Sequence, residues 1–169
     1  YKRQARYMVR PADKELLGRL KSTPLCGLAK SIGIEIDEWL PVASSPLPVT
    51  MRLTARRNDI DWTRSMLQSV GGKRIDWIDS SESWVMPFSK GDYPSEDVKK
   101  LMVLLHETGR ITRQEAVSMI PPVVLAPEDG QMIMDTCAAP GSKATQLAEA
   151  IPNGLVLANE PSSGRINLL

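Results

Sequence analysis

The segment from residue 132 to residue 160 constrains the fold of this chain more than any other stretch. Residues 132–135 form a short apolar run that ends in an aspartate, and they predict a buried strand. Small residues at 136–141 predict a tight turn, and residues 142–151 predict a helix with one apolar face. The second apolar run, at 155–158, predicts another buried strand. The segment is therefore predicted to be a β–α–β unit with a right-handed crossover.

The turn of this unit is suited to binding a ligand. Small residues let a ligand approach the backbone closely, and a helix that begins at Ser142 directs free N–H groups and a positive dipole end at the turn. Glu160 lies 19 residues after Gly141. An acid about 20 residues after such a turn accepts hydrogen bonds from ribose hydroxyls. NAD, ATP and S-adenosylmethionine all fit these features, and so does a β–α–β unit that binds nothing.

The glycine pattern argues against two of these ligands. The dinucleotide fingerprint needs three glycines, and the turn has only Gly141. A phosphate-binding loop needs glycine where Thr136 stands, and Ser or Thr where Ala144 follows Lys143. NAD and ATP are therefore disfavoured.

Three stretches of the sequence resemble one enzyme family. Residues 135–143 read Asp-Thr-Cys-Ala-Ala-Pro-Gly-Ser-Lys and resemble the S-adenosylmethionine motif of the Nop/Sun-type RNA cytosine-5 methyltransferases. Residues 109–122 are similar to the segment that leads into that motif, and residues 46–54 resemble the strand that opens the N-terminal region of the family. The sequence of residues 113–122 is most similar to the sequences of the tRNA-modifying branch of the family.

The resemblance implies a function and a set of binding residues. The family transfers a methyl group from S-adenosylmethionine to carbon 5 of cytosine in RNA. The resemblance therefore implies RNA, in particular tRNA, as the partner. It also implies an intracellular location, in the nucleus or cytoplasm. By resemblance, the turn wraps the amino acid end of the cofactor, the acid at the end of the second strand holds its ribose, and a basic residue follows nearby. The implied cofactor-binding residues are Cys137, Ala138, Ala139, Pro140, Gly141, Ser142, Lys143, Glu160 and Arg165.

No catalytic residue is predicted within the sequence. The family uses two cysteines, in a Pro-Cys and a Thr-Cys motif, and both are expected beyond Leu169. The two cysteines present are Cys26, expected in the core, and Cys137, inside the turn. We therefore expect the chain to be a fragment that is inactive alone. The alternative is a non-catalytic RNA-binding or scaffold protein that keeps the N-terminal half of the family.

The predicted fold is mixed α/β and falls into three segments. Residues 1–45 are expected to form an N-terminal helical segment, and residues 46–94 a small α+β region that resembles an RNA-recognition motif. Residues 95–169 are expected to hold linker helices and the incomplete start of a Rossmann-like class I methyltransferase domain. Within these segments, residues 75–78 predict a strand, Thr112 and Glu115 predict a helix capping box, and Pro121–Pro122 predict the end of that helix.

Composition restricts the other functions. The net charge is +1, no run is long enough for a membrane span, and one histidine with two cysteines is too few for a zinc site, so no metal is predicted. Positive residues are in local excess in residues 1–22, which suits either an RNA backbone or a solvated helix face. Further RNA contacts are predicted for two kinds of side chain, namely arginines and tryptophans: Arg52, Arg56, Arg57, Trp62, Trp77 and Trp84. For the tryptophans, packing in the core is the alternative.

Overall fold

The structure is a computed structural model that describes residues 14–54, 59–78 and 82–169. The chain divides into two compact units. The first unit comprises Tyr1–Pro48 and Phe88–Asp92, and the second comprises Val49–Pro87 and Tyr93–Leu169. Most of the basic residues at 1–22, and Arg56 and Arg57, lie outside the described residues.

The described part of the first unit is built from short helices. They are α1 (Lys14–Lys21), α2 (Pro24–Ser31) and α3 (Ile36–Ala43). Their core consists of small and aliphatic side chains, with Leu17, Leu20, Ile34 and Trp39 packed around it; its fully buried members are Cys26, Ala29, Ile36 and Leu40. The prediction that Cys26 is a core residue is confirmed.

The second unit contains most of a four-stranded sheet. Its strands are β1 (Pro48–Leu53), β2 (Lys73–Arg74), β3 (Ser83–Ser89) and β4 (Ile111–Arg113), in the order β2-β3-β1-β4. β4 pairs antiparallel with β1, so that Arg52 lies opposite Thr112, and β2 pairs antiparallel with β3. Residues 75–78 are not a strand, contrary to prediction. Ile75 and Ile78 are both buried while the two residues between them are exposed, which is the spacing of a turn and not of an alternating strand.

The helices of the second unit correct two further predictions. They are α4 (Ile60–Ser69), α5 (Glu96–Glu107), a 3-10 helix (Ala116–Met119) and α6 (Ile120–Leu125). Thr112 belongs to β4 and Glu115 makes no side-chain cap, so the predicted capping box is absent from these described residues. Pro121 and Pro122 occupy the first turn of α6 and begin a helix instead of ending one, because proline needs no N–H partner at that position.

The β–α–β unit forms as predicted. It consists of β5 (Met132–Asp135), α7 (Ser142–Ala150) and β6 (Leu155–Ala158), with the two strands parallel and Met132 opposite Leu155. The side chains on the core-facing side of the helical segment are buried, namely those of Ala144, Leu147 and Ile151.

The prediction that both strands are buried is wrong for this structure. Met132 and Met134 on β5 are 70% and 61% exposed, and Leu155 and Leu157 on β6 are 47% and 46% exposed. Because side chains alternate across a strand, these four residues share the face of the sheet that no described element covers. A parallel sheet is normally covered on both faces, so this face is an uncovered apolar surface.

Candidate functional site

The turn between β5 and α7 is held by its own backbone. The Cys137 N–H donates to Oδ1 of Asp135 at 3.1 Å. The Ala138 N–H donates to the Asn159 carbonyl at 2.9 Å, and the Gly141 N–H donates to the Ala138 carbonyl at 2.7 Å. These bonds join the turn to the ends of both parallel strands. The conformation of the turn is therefore fixed at the carboxyl edge of the sheet, which is the edge where ligands of open α/β sheets generally bind.

Gly141 allows the turn to pass directly into the helix. Its φ is +97°, in the region that L-residues avoid, and it is the N-cap residue of α7. A glycine has no side chain with which to cap the first-turn N–H groups of Ser142, Lys143 and Ala144. These donors, together with the positive end of the helix dipole, favour an anionic or carboxylate group at this position.

Glu160 joins the end of β6 to the turn. Its side chain is only 1% exposed. Oε2 accepts a hydrogen bond from the Ala139 N–H at 3.2 Å, and Oε1 accepts one from the Ser162 N–H at 3.0 Å. A carboxylate oxygen accepts more than one hydrogen bond, so both oxygens keep acceptor capacity after these contacts.

Arg165 lies near the same carboxylate. Its Nη1 is 3.8 Å from Oε2 of Glu160, and its Nη2 donates to the carbonyl of Ala139. The guanidinium side chain remains about half exposed. The structure therefore brings Ala139, Glu160 and Arg165 into direct contact.

The other predicted site residues line the turn without entering this cluster. Ala138 and Gly141 are buried, and Ser142 is partly buried at the start of α7. Cys137, Pro140 and Lys143 present exposed side chains. The bond from Ala139 to Pro140 is cis. Cys137 is a free thiol in an exposed turn, which agrees with its prediction as a turn residue.

The sequence prediction for Arg52 is wrong. The sequence pattern predicts Arg52 on the polar face of β1 as an RNA contact, yet its side chain is fully buried. Its guanidinium binds residues of β4's C-terminal end and of α7, among them Gln114 and Glu149. The alternation along β1 does not indicate that Arg52 is buried, because the side chain is covered by helix α7, which lies far along the chain.

The three tryptophans of the same prediction differ in exposure, and only the core alternative for Trp84 is decided by it. Trp84 is 2% exposed and belongs to the core, whereas Trp62 and Trp77 are 45% and 48% exposed. The guanidinium of Arg110 lies 5.4 Å from the ring centre of Trp62, and Arg110 also pairs with Asp59 at 2.6 Å. Trp62 and Trp77 therefore retain open ring surface.

The described residues hold neither a cluster of metal-ligating side chains nor a helix that could span a membrane. Within residues 14–54, 59–78 and 82–169, no group of three or more His, Cys, Asp or Glu side chains is placed to hold a metal ion. The helices of the same ranges are too short or too polar to cross a bilayer.

Comparison with known proteins identifies related sequences. The family model of the 16S rRNA methyltransferase RsmB/F matches residues 122–169. The chain is 30% identical over 159 residues to the multisite-specific tRNA:(cytosine-C(5))-methyltransferase of Saccharomyces cerevisiae, covering 79% of this chain and 23% of that protein. It is 32% identical over 137 residues to the tRNA (cytosine(49)-C(5))-methyltransferase of Pyrococcus abyssi, covering 79% of this chain and 41% of that protein.

A solved structure is also similar to this chain. The methyltransferase homolog protein from Pyrococcus horikoshii superposes with a TM-score of 0.56 at 30% sequence identity, covering 72% of this chain and 38% of that one. The chain thus spans less than half the length of each of these three relatives.

Proposed function

The chain belongs to the Nop/Sun-type RNA cytosine-5 methyltransferases, and from that premise we propose that its turn between β5 and α7 binds S-adenosylmethionine for methyl transfer to RNA. The observation that carries this proposal is the junction of three features at one edge of the β5–β6 sheet. They are the Gly141 turn, the uncapped start of α7 and the buried carboxylate of Glu160.

The residues present fit the chemical groups of this cofactor. Backbone N–H groups at the start of α7 suit the carboxylate of its amino acid end. The remaining acceptor capacity of Glu160 suits ribose hydroxyls, which donate hydrogen bonds. The small residues Ala138 and Ala139 allow close approach to the turn, and Lys143 and Arg165 keep exposed cations beside it.

When bound, the cofactor supplies an activated methyl group. In this proposal, the residues of the chain bind and orient that group, and neither cysteine acts as the nucleophile. Cys26 is buried in the core of the first unit and Cys137 lies within the cofactor turn.

We further propose that the substrate is tRNA. The two curated relatives described above are named as tRNA cytosine-5 methyltransferases. In this chain, Trp62 and Trp77 offer partly exposed rings for stacking on unpaired bases. The RNA-recognition-motif-like character of residues 46–94 and the Rossmann-like class of the cofactor domain are part of the same proposal.

The test of the cofactor site is a binding measurement with labelled S-adenosylmethionine. Replacement of Glu160 by Gln removes the charge at nearly constant volume, so hydrogen bonds worth about 1–3 kcal/mol are weakened and the Kd is expected to rise by about 5- to 150-fold. Glu128→Gln is the matched control, because Glu128 is an exposed acid in the turn before β5, and its Kd is expected to stay within about twofold. Equal affinities of Glu160→Gln and the unsubstituted chain would remove Glu160 from the site.

Activity is tested separately, in the complete gene product. Incubation with labelled cofactor and tRNA is expected to place the label on carbon 5 of cytosine, detected by mass spectrometry of nucleosides. Binding of cofactor and tRNA without any methyl transfer would favour the non-catalytic RNA-binding protein instead.

A further inference from the structure

Arg52 is the most deeply buried charged side chain among the described residues. Its side chain is 0% exposed, although it lies on a short strand of a small sheet. Burying a guanidinium is costly unless its N–H groups are all directed at acceptors. The arrangement of those acceptors therefore shows what the charge is used for.

The guanidinium of Arg52 binds along one side of α7. Nη2 donates to the Ser142 carbonyl at 3.2 Å and to Oγ1 of Thr145 at 3.1 Å. Nη1 donates to Oε2 of Glu149, one turn further along. The contacts therefore cover the first two turns of the helix, beginning at the residue that follows Gly141.

The third nitrogen of the guanidinium joins α7 to the four-stranded sheet. Nε donates to Oε1 of Gln114 at 2.6 Å, and Nε2 of Gln114 donates to Oε1 of Gln146 on α7 at 2.9 Å. Nε2 of Gln146 in turn donates to the Met119 carbonyl at 3.1 Å. Every polar group in this chain of contacts has a partner, which is what makes a buried network rigid.

Glu149 is the charged group that offsets the cost of burying the Arg52 guanidinium. Burial lowers the pKa of the Arg52 guanidinium from its usual range, while the charge and hydrogen bond of Glu149 act in the opposite direction. Glu149 is 24% exposed, so it is the partly solvated member of the pair.

We propose that Arg52 is a positioning residue for the cofactor turn: by fixing the start of α7 against the four-stranded sheet, it sets where Gly141 and the first-turn N–H groups lie. This inference rests on the proposed function of the turn. A lysine in its place keeps the charge, but its three N–H donors lie on one nitrogen and do not reproduce the planar fork with which the guanidinium contacts Ser142, Glu149 and Gln114.

The experiment compares Arg52→Lys with Arg113→Lys in the full chain. Arg113 is the matched control, because it is an exposed arginine on β4, opposite Met51. Two quantities are measured well below the melting temperature of each variant: the Kd for S-adenosylmethionine, and the hydrogen-exchange rates of the backbone amides from residue 145 to residue 150. Exchange in α5 serves as the internal reference for global stability.

For Arg52→Lys, we expect the Kd to rise by about tenfold and exchange within α7 to accelerate by about tenfold, with α5 changed by less than twofold. Arg113→Lys is expected to stay within about twofold on both measures. A folded Arg52→Lys with unchanged Kd, or with equal acceleration in α5 and α7, would overturn the proposal, because a purely structural role loosens the whole unit.

Two further arms keep the result interpretable. If Arg52→Lys does not fold, Glu149→Gln decides: it removes the charge but keeps an acceptor, and we expect a rise in Kd of about threefold, whereas an unchanged Kd overturns the proposal. If the unsubstituted chain binds no S-adenosylmethionine, the proposed function fails, and the exchange rates alone then decide whether Arg52 holds the start of α7.

Discussion

Replacing Gly154 by alanine tests directly how tightly the connection between α7 and β6 is packed. Gly154 lies in the connection between α7 and β6, and its N–H donates to the Ile151 carbonyl at 2.9 Å. A methyl group added there would lie 2.4 Å from the Gln131 carbonyl oxygen and 2.8 Å from Cδ1 of Ile151. The first neighbour is backbone, so it cannot rotate away.

The expected cost follows from these contacts. Forcing an extra methyl group into a packed position costs about 1–3 kcal/mol. The Gln131 carbonyl also accepts the Leu155 N–H at 3.0 Å, so moving it weakens a hydrogen bond worth about 1 kcal/mol. Alanine restricts the unfolded chain and returns about 0.5–1 kcal/mol. The free energy of unfolding is therefore expected to fall by about 2 kcal/mol.

The assay is equilibrium unfolding in urea, with the slope checked for each variant. Gly164→Ala is the matched control, because its added methyl group would have only Ser162 Oγ nearby, at 4.0 Å, and its change is expected to stay within about 0.5 kcal/mol. Equal midpoints for Gly154→Ala and Gly164→Ala would refute the packing argument.

Two other predictions concern stability away from the turn. A hydrogen bond from Arg64 lowers the pKa of Glu82, so this carboxylate stabilises the fold above its unfolded pKa of about 4.3 and loses that contribution as the pH falls through its lower folded pKa. The melting temperature of Glu82→Gln is therefore expected to lie below that of the unsubstituted chain at pH 7 and to approach it below about pH 4; a gap that stays constant to pH 2.5 would contradict this. Ser95 caps α5 by accepting the Val98 N–H at 3.2 Å, and Ser95→Ala is expected to cost about 1 kcal/mol in urea unfolding, with Ser95→Asp largely preserving stability.

The β–α–β unit is predictable from sequence because its signals are local. Two apolar runs, a turn of small residues and one helix-forming segment lie within 29 consecutive residues, from 132 to 160. The bounds of β5 and β6 in the structure agree with those runs. The position of Gly141 likewise follows from the need for a positive φ between strand and helix. The roles of the nine proposed cofactor-binding residues remain predictions.

The errors arise where a distant element decides the environment. Alternation along β1 correctly places Met51 and Leu53 on one face of the strand and Arg52 on the other. Both faces of β1 are covered, however, so the polar side chain of Arg52 is buried as well. The predictions for residues 75–78 and for Pro121–Pro122 are wrong for a different reason. Short apolar runs and prolines are compatible with more than one backbone path, and the surrounding packing selects between them.

The burial of Arg52 also has a consequence for the order in which the chain folds. Its partners Gln114, Ser142, Thr145 and Glu149 follow it by 62, 90, 93 and 97 residues. A growing chain therefore presents β1 to solvent long before any acceptor for the guanidinium exists, and closing such long loops is slow. The small sheet cannot reach its final packing until α7 has been synthesised. We therefore expect a fragment limited to residues 46–94 to stay incompletely packed, and the sheet and the β–α–β unit to acquire their protected amides together, in one late cooperative step.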